Sequence, residues 1–243
     1  MCSWYVDIFL IFSLVFNASL GQSLEQSDYV SPLHSVLQLL DQFTNYTEGN
    51  ICCLNGQWES NSFLDYGAAL NVPDATSFFH YNGTGKIAFD VVHKKSYVQF
   101  KITAFSPQIP VYSQFTTTTI KDFNLGIMYD IDDEGHCTKE TIPKDIQALC
   151  IPAEAIYLSK GLIGKEVIST YQFSKSYTGT RQIVTAAVLR IGNTCDPVRV
   201  SQSVIHSKDV THGTLLNLDV MDIKQGISDP SIFLPPQSCN SIK

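Results

Sequence analysis

The residues predict an all-β domain, an antiparallel sandwich or barrel preceded by one short helix. Three observations carry this. Beyond Cys53 the apolar period is two, turn signals recur between the alternating runs, and helical spacing is confined to 31–43.

At the N-terminus, Ile8 to Phe16 form an apolar run too short to span a bilayer, and the small residues Ser19 and Gly21 follow where a signal peptidase cuts. Residues 1–21 therefore read as a signal peptide, with Asp7 departing from the usual basic n-region. No other stretch is expected to cross a membrane. Removing the signal takes one acid and no base, which shifts the formal net charge from −7 to −6. That balance argues against nucleic acid and against an anionic membrane surface.

Residues 22–50 form a lead-in. Leu33, Val36, Leu37, Leu40 and Phe43 recur at three and four, Ser31 is placed to cap, and Pro32 suits the first helical position. The remainder, 51–243, is expected to be one β domain. Ile87, Phe89 and Val91 alternate with their neighbours, as do Phe123, Leu125, Ile127, Tyr129 and Ile131. The same alternation runs through Val167 to Phe173, Ile183 to Ile191, Val198 to His206 and Leu216 to Asp222. Thr116 to Thr119 reads as a β-branched strand. Turns are expected at Asn82-Gly83, at Asp133-Glu134-Gly135, at Thr178-Gly179 and at His212-Gly213. Ser228-Asp229-Pro230 starts a further turn, and Pro235-Pro236 forces an extended run to Cys239. Ile232, Phe233 and Leu234 between them must bury something, so this segment reads as a C-terminal strap.

Cys2 leaves with the signal, and Cys52, Cys53, Cys137, Cys150, Cys195 and Cys239 remain. An even set in an oxidising compartment is most simply three disulfides, for which the sequence alone allows about 15 connectivities. A bond between the neighbours Cys52 and Cys53 would strain the peptide joining them. No CxxC pair or HxxxH spacing supports zinc instead. The sequons at Asn45 and Asn82 are expected on exposed turns.

Catalytic templates fail. There is no GxSxG elbow, P-loop or GxGxxG, and Gly83-Thr84-Gly85 is expected to serve positive φ in a hairpin. The histidines share no ligand spacing, and Cys137 beside His136 is expected to be oxidised. The acidic run Asp130, Asp132, Asp133, Glu134 begins like an EF-hand loop, but Thr141 stands where its bidentate glutamate belongs. It reads as a solvated hairpin tip, whose carboxylates are also what a weak extracellular calcium site would use.

Several segments together resemble the ependymin-related proteins. They are GNICCLNGQWES (49–60), FNLGIMYDIDDEGHCTKETI (123–142), CIPAEA (150–155), NTCDPV (193–198) and GISDPSIFLPPQSC (226–239). The resemblance implies a secreted or lysosomal glycoprotein of two stacked antiparallel sheets, a sandwich or half-barrel similar to bacterial lipoprotein carriers. It further implies a homodimer, calcium association and a deep apolar pocket for lipid-like molecules. Carried over by position, it pairs Cys137 with Cys239 and Cys52 with Cys195, leaving Cys53 for Cys150. Vertebrate members carry a further cysteine pair that this chain lacks.

The leading expectation is a non-enzymatic carrier of a hydrophobic small molecule or lipid, with no required cofactor and calcium as the one candidate ion. Its pocket wall is expected among Ile87, Phe89, Phe123, Leu125, Ile127, Tyr171, Phe173, Leu189, Leu216 and Leu218. The alternative is a calcium-dependent matrix or adhesion glycoprotein with a solid core. An apolar cavity of several hundred Å3, typical of ligand sites, would separate the two.

Overall fold

The computed structural model describes residues 51–54, 56–72, 75–106, 109–144, 146, 149–177, 180–192, 194–206 and 212–241. The expected signal peptide, the 31–43 helix, the Asn45 sequon and the Thr178-Gly179 turn lie outside them.

The described strands make one continuous antiparallel sheet rather than two separate ones. They run β1 (Cys52–Cys53), β2 (Gln57–Val72), β3 (Ala75–Asp90), β4 (Lys95–Ser106), β5 (Ile109–Asp122), β6 (Ile127–Ile131) and β7 (Cys137–Thr141). Then follow β8 (Cys150–Ile151), β9 (Ile156–Ile163), β10 (Glu166–Tyr177), β11 (Thr180–Ile191), β12 (Thr194–His206) and β13 (His212–Gln225). The spatial order is β7-β6-β5-β4-β3-β2-β13-β12-β11-β10-β9. Because β2 pairs with both β3 and β13, it welds the two halves of the chain into one sheet.

The sheet must bend. Four steps separate β3 from β11, roughly 19 Å in a flat sheet. Yet Ile87 of β3 and Ala186 and Val188 of β11 line one small cavity. The same face therefore comes round on itself as a half-barrel. That inner face carries the main core, including Leu64, Phe100, Ile102, Val184, Leu216 and Leu218, all 1% exposed or less. β1 and β8 lie off the main path: β1 pairs antiparallel with β8 and parallel with β12. Leu54, Leu149 and Ile151 beside this small ladder line the cavity too, so it acts as a plug.

Three disulfides hold this arrangement. Successive side chains on a strand point to opposite sides, so Cys52 is bonded to Cys195 while Cys53 is bonded to Cys150. Cys137 is bonded to Cys239 across 102 residues.

Asn82-Gly83-Thr84-Gly85 is no hairpin turn; it lies inside β3. Its glycines serve close approach instead of positive φ. A Cβ at Gly85 would stand 2.0 Å from the Gln99 carbonyl oxygen and 2.6 Å from the Phe100 ring. His212-Gly213 opens β13. The expected strand from Phe123 to Ile131 is interrupted, since Phe123 to Gly126 form the β5–β6 turn. There Leu125 N–H donates to Asp122 Oδ1 (3.0 Å), and Gly126, at φ +72°, donates to the Asp122 carbonyl (2.8 Å). The Asp133 to Gly135 turn does join β6 to β7, with Gly135 at φ +80°.

The strap crosses the outer face. Two 3-10 turns, Pro230–Phe233 and Gln237–Ser241, carry it, and the second replaces most of the expected extended run. Asp229 caps the first by accepting from Ser231 N–H (2.9 Å). Of the apolar triplet, Phe233 is buried with Ala88, Tyr97, Ile120 and Tyr129, Ile232 is partly buried, and Leu234 is 64% exposed. The strap is anchored by Glu59, buried in β2, whose carboxylate accepts from Ser228 Oγ (2.5 Å) and N–H (3.2 Å) and pairs with Lys86 (3.1 Å).

Burial pushes the Glu59 carboxyl up, and the hydrogen bonds from Ser228 and Lys86 more than offset it, leaving it below its usual value near 4.5. Stability from this group is complete above that value and lost as pH falls through the lower folded one. Glu59→Gln is expected to destabilise by about 1–3 kcal/mol at neutral pH. In urea titrations at descending pH, variant and parent should converge in acid.

Candidate ligand-binding face

The inner face owes its character to register. Across the sheet, Phe173, Val184, Gln202, Leu216, Tyr66 and Tyr81 stand side by side, with the Tyr66 and Tyr81 rings 5.8 Å apart. One step toward the plug, Ala186, Val200 and Leu218 form the next row and line the cavity with Trp58, Ile87 and the plug residues. The cavity is about 20 Å3, the room of about one water molecule. The expected volume of several hundred Å3 is not found there.

Seven of the ten expected wall residues belong to the inner core: Ile87, Phe89, Phe123, Tyr171, Phe173, Leu216 and Leu218. Of these, Ile87 and Leu218 touch the cavity. Three do not belong. Leu125, in the β5–β6 turn, is 59% exposed. Ile127 packs on the outer face beneath the strap, because the turn resets the alternation and points Met128 inward instead. Leu189 pairs with Ile168 in the phase opposite to Val188, outside the inner core.

Buried polar groups interrupt this apolar surface: Ser60 and Ser62 share a hydrogen bond (3.3 Å), and two further donors stand alone. Trp58 Nε1 and Gln202 Nε2 are buried and have no hydrogen-bond partner, in side chains only 2% exposed. Sequence reasoning missed both. The signal for Gln202 was present, since it replaces an apolar residue in the series Val200, Gln202, Val204. A buried donor left unpaired costs about 1–3 kcal/mol, and apolar walls with a few polar groups are the makeup of small-molecule sites.

The acidic hairpin is satisfied locally. Asp132 Oδ1 accepts from the N–H groups of Glu134 (3.0 Å) and His136 (2.8 Å), and Oδ2 meets His136 Nδ1 at 3.0 Å. Burial nudges the Asp132 carboxyl up, but the His136 and Glu134 hydrogen bonds bring it below its usual range; the same pairing raises the His136 imidazole. Asp130 accepts from Thr119, and Asp133 is exposed. Among the described residues no three His, Cys, Asp or Glu side chains are grouped to hold a metal ion.

Asn82 does not sit on a turn: it is half-buried on the outer face of β3, between Asp65 and Thr103. The other histidine pairs, His80 with Asp65 (2.5 Å) and His93 with Asp90 (2.7 Å), have neither a cysteine nor a serine in their hydrogen bonds. All six described cysteines are in disulfides. Such bonds fit an oxidising compartment. Among the described residues no helix is long and apolar enough to cross a membrane.

Fold and site thus define a disulfide-stapled β half-barrel with a buried apolar inner face. The model of the Ependymin family matches residues 112–239, more than half of the chain, and the chain belongs to that family. Among solved structures it is similar to the ywiB protein from Bacillus subtilis, at 8% identity and TM-score 0.24, over 70% of this chain and 94% of that one. It is also similar to a DUF1329 family protein from Desulfovibrio piger, at 11% identity and TM-score 0.19, over 84% and 98% of the two chains. At these scores neither likeness bears on function.

Gln202→Leu removes the orphaned donor while keeping volume and apolar contacts. It is expected to stabilise the protein by about 1–2 kcal/mol, read as a higher urea midpoint at unchanged slope.

Proposed function

We propose that this ependymin family member is exported and binds an apolar molecule against the inner face of its sheet, without catalysis. The observation that carries the reading is the presence of two unpaired donors, Trp58 Nε1 and Gln202 Nε2, on a largely apolar inner face. Apolar burial at about 25 cal/mol per Å2 supplies the affinity. The two donors stand far apart, since Gln202 faces Leu216 and Tyr66 while Trp58 lies eight residues away along β2. Each by itself favours a ligand with a carbonyl, ester or carboxylate oxygen, an acyl lipid rather than a plain hydrocarbon. Because the cavity is about 20 Å3, an acyl chain enters by displacing lining side chains. Its site of action is the extracellular space, with the lysosomal lumen as the other oxidising destination.

The small cavity favours a second reading, a solid-core glycoprotein of the extracellular matrix. Calcium belongs chiefly to this reading, although among the described residues Asp130, Asp132 and Asp133 are not grouped to hold it.

Native purification, organic extraction and mass spectrometry decide between them. The binding reading expects a co-purified acyl lipid, or uptake of laurate and methyl laurate in preference to dodecane. A protein that carries none and takes up none fits the solid core, for which EDTA should instead change oligomer size.

A further inference from the structure

Where β9 and β10 meet, the inner side of the sheet has an uncovered rim. Tyr171 of β10 lies in the inner core, so Ser169 and Val167, at alternate positions, share its side. Through the pairing with β9, Tyr157, Lys160 and Leu162 stand on that side too. Arg190 joins them from β11, two residues past Val188 of the cavity. Tyr157, Leu162 and Val167 are all exposed, Leu162 at 72%. Contiguous exposed apolar surface is a mark of contact sites.

The N-terminal lead-in arrives at the same end of the sheet. Arg190 pairs with Cys195, which is bonded to Cys52. Because β1 runs parallel to β12, with Cys53 beside Thr194, Ile51 lies toward Ile191 and Gly192. The β9–β10 turn, between Ile163 and Glu166, is at that end as well.

We propose that the amphipathic segment 31–43 docks along this rim of its own chain, with Leu33, Leu37 and Leu40 over Tyr157, Leu162 and Val167. The contact does not depend on any ligand.

Reach, length and charge each fit. Three strand steps separate β12, which holds Cys195, from β9, about 14 Å. The connecting residues 44–50 can span up to about 24 Å. As a helix, 31–43 is about 20 Å long, against about 17 Å along the strand from Tyr157 to Leu162. Helices this short are marginal in water, so the segment needs a surface for its apolar side. Residues 22–50 contain the acids Glu25, Asp28, Asp41 and Glu48 and no lysine or arginine. The rim is opposite in sign: Lys160 and Arg190 are exposed on it, while Glu166, the one acid of the β9–β10 hairpin, falls on the other side with Ile163. Asp41, four residues after Leu37, borders the apolar side and meets those bases.

The test is amide hydrogen exchange, read by mass spectrometry on the full disulfide-intact chain. Amides of 33–43 should exchange at least about tenfold more slowly than in the isolated 31–43 peptide. Leu162→Asp, at the rim, should return them to the peptide rate. Leu125→Asp, on an equally exposed leucine in the β5–β6 turn, should leave them protected. Reciprocally, Leu37→Asp, outside the β domain, should speed exchange in 157–163 and leave β2 to β4 unchanged, which reads the contact even where a rim variant folds poorly. Peptide-like exchange in the parent, protection that survives Leu162→Asp or is lost equally in Leu125→Asp, or exchange in 157–163 unmoved by Leu37→Asp overturns the proposal. Protection that grows with protein concentration also overturns it, since the segment then docks on another copy.

Discussion

A wide sheet with one apolar face has to hide that face, and most of this structure follows from that requirement. No described helix lies across the inner face. The sheet instead curves until β3 and β11 share a cavity, and the short β1–β8 ladder fills the remaining gap. A two-strand ladder of two residues each has little stability of its own. The adjacent Cys52 and Cys53 fasten it in two directions, to β12 and to β8. On the chain-entropy account, a disulfide closing a loop of about a hundred residues restricts the unfolded chain by about 4–5 kcal/mol.

The two faces then diverge in role. The outer face keeps its own small core only where the strap crosses it, with Phe233 and Cys239 over Ala88, Tyr97, Ile120 and Tyr129. Away from the strap it is largely polar, as in the row Asn82, Asp65, Asn217, Ser201. The inner face is apolar except for a few buried polar groups, and two of the donors among them lack acceptors. A purely structural core gains nothing from such donors. A binding surface gains orientation.

Much of the fold was legible because alternation is a local signal. The strands from Val167 to Asp222, the Asp133 to Gly135 turn and the strap all follow from it or from proline and glycine chemistry. The failures are also local in origin. Phe123 to Ile131 alternates perfectly, but Asp122 caps a turn that breaks the phase, so Ile127 and Met128 exchange faces. In β11 both phases are apolar, and Leu189 could not be told from Val188. The Gly83 and Gly85 pair resembled a hairpin, whereas the crowding over Gly85 comes from β4, which local sequence does not reveal. β9 shows no alternation, and all eight of its residues are exposed among the described residues. The disulfide partners came from the resemblance and not from spacing, since pairing depends on long-range closure. That β2 would weld both halves into one sheet was likewise invisible in the residues.

An acyl chain bound as proposed would reach the inner face beside the cavity. Trp58 reports on it directly, being buried there, while Trp4, the other tryptophan, falls in the segment read as the signal peptide. The deciding measurement is quenching of its emission by a fatty acid brominated along the chain, set against aqueous iodide. Binding at the inner face gives saturable quenching by the brominated chain and little by iodide. Emission unmoved by the brominated chain would contradict it.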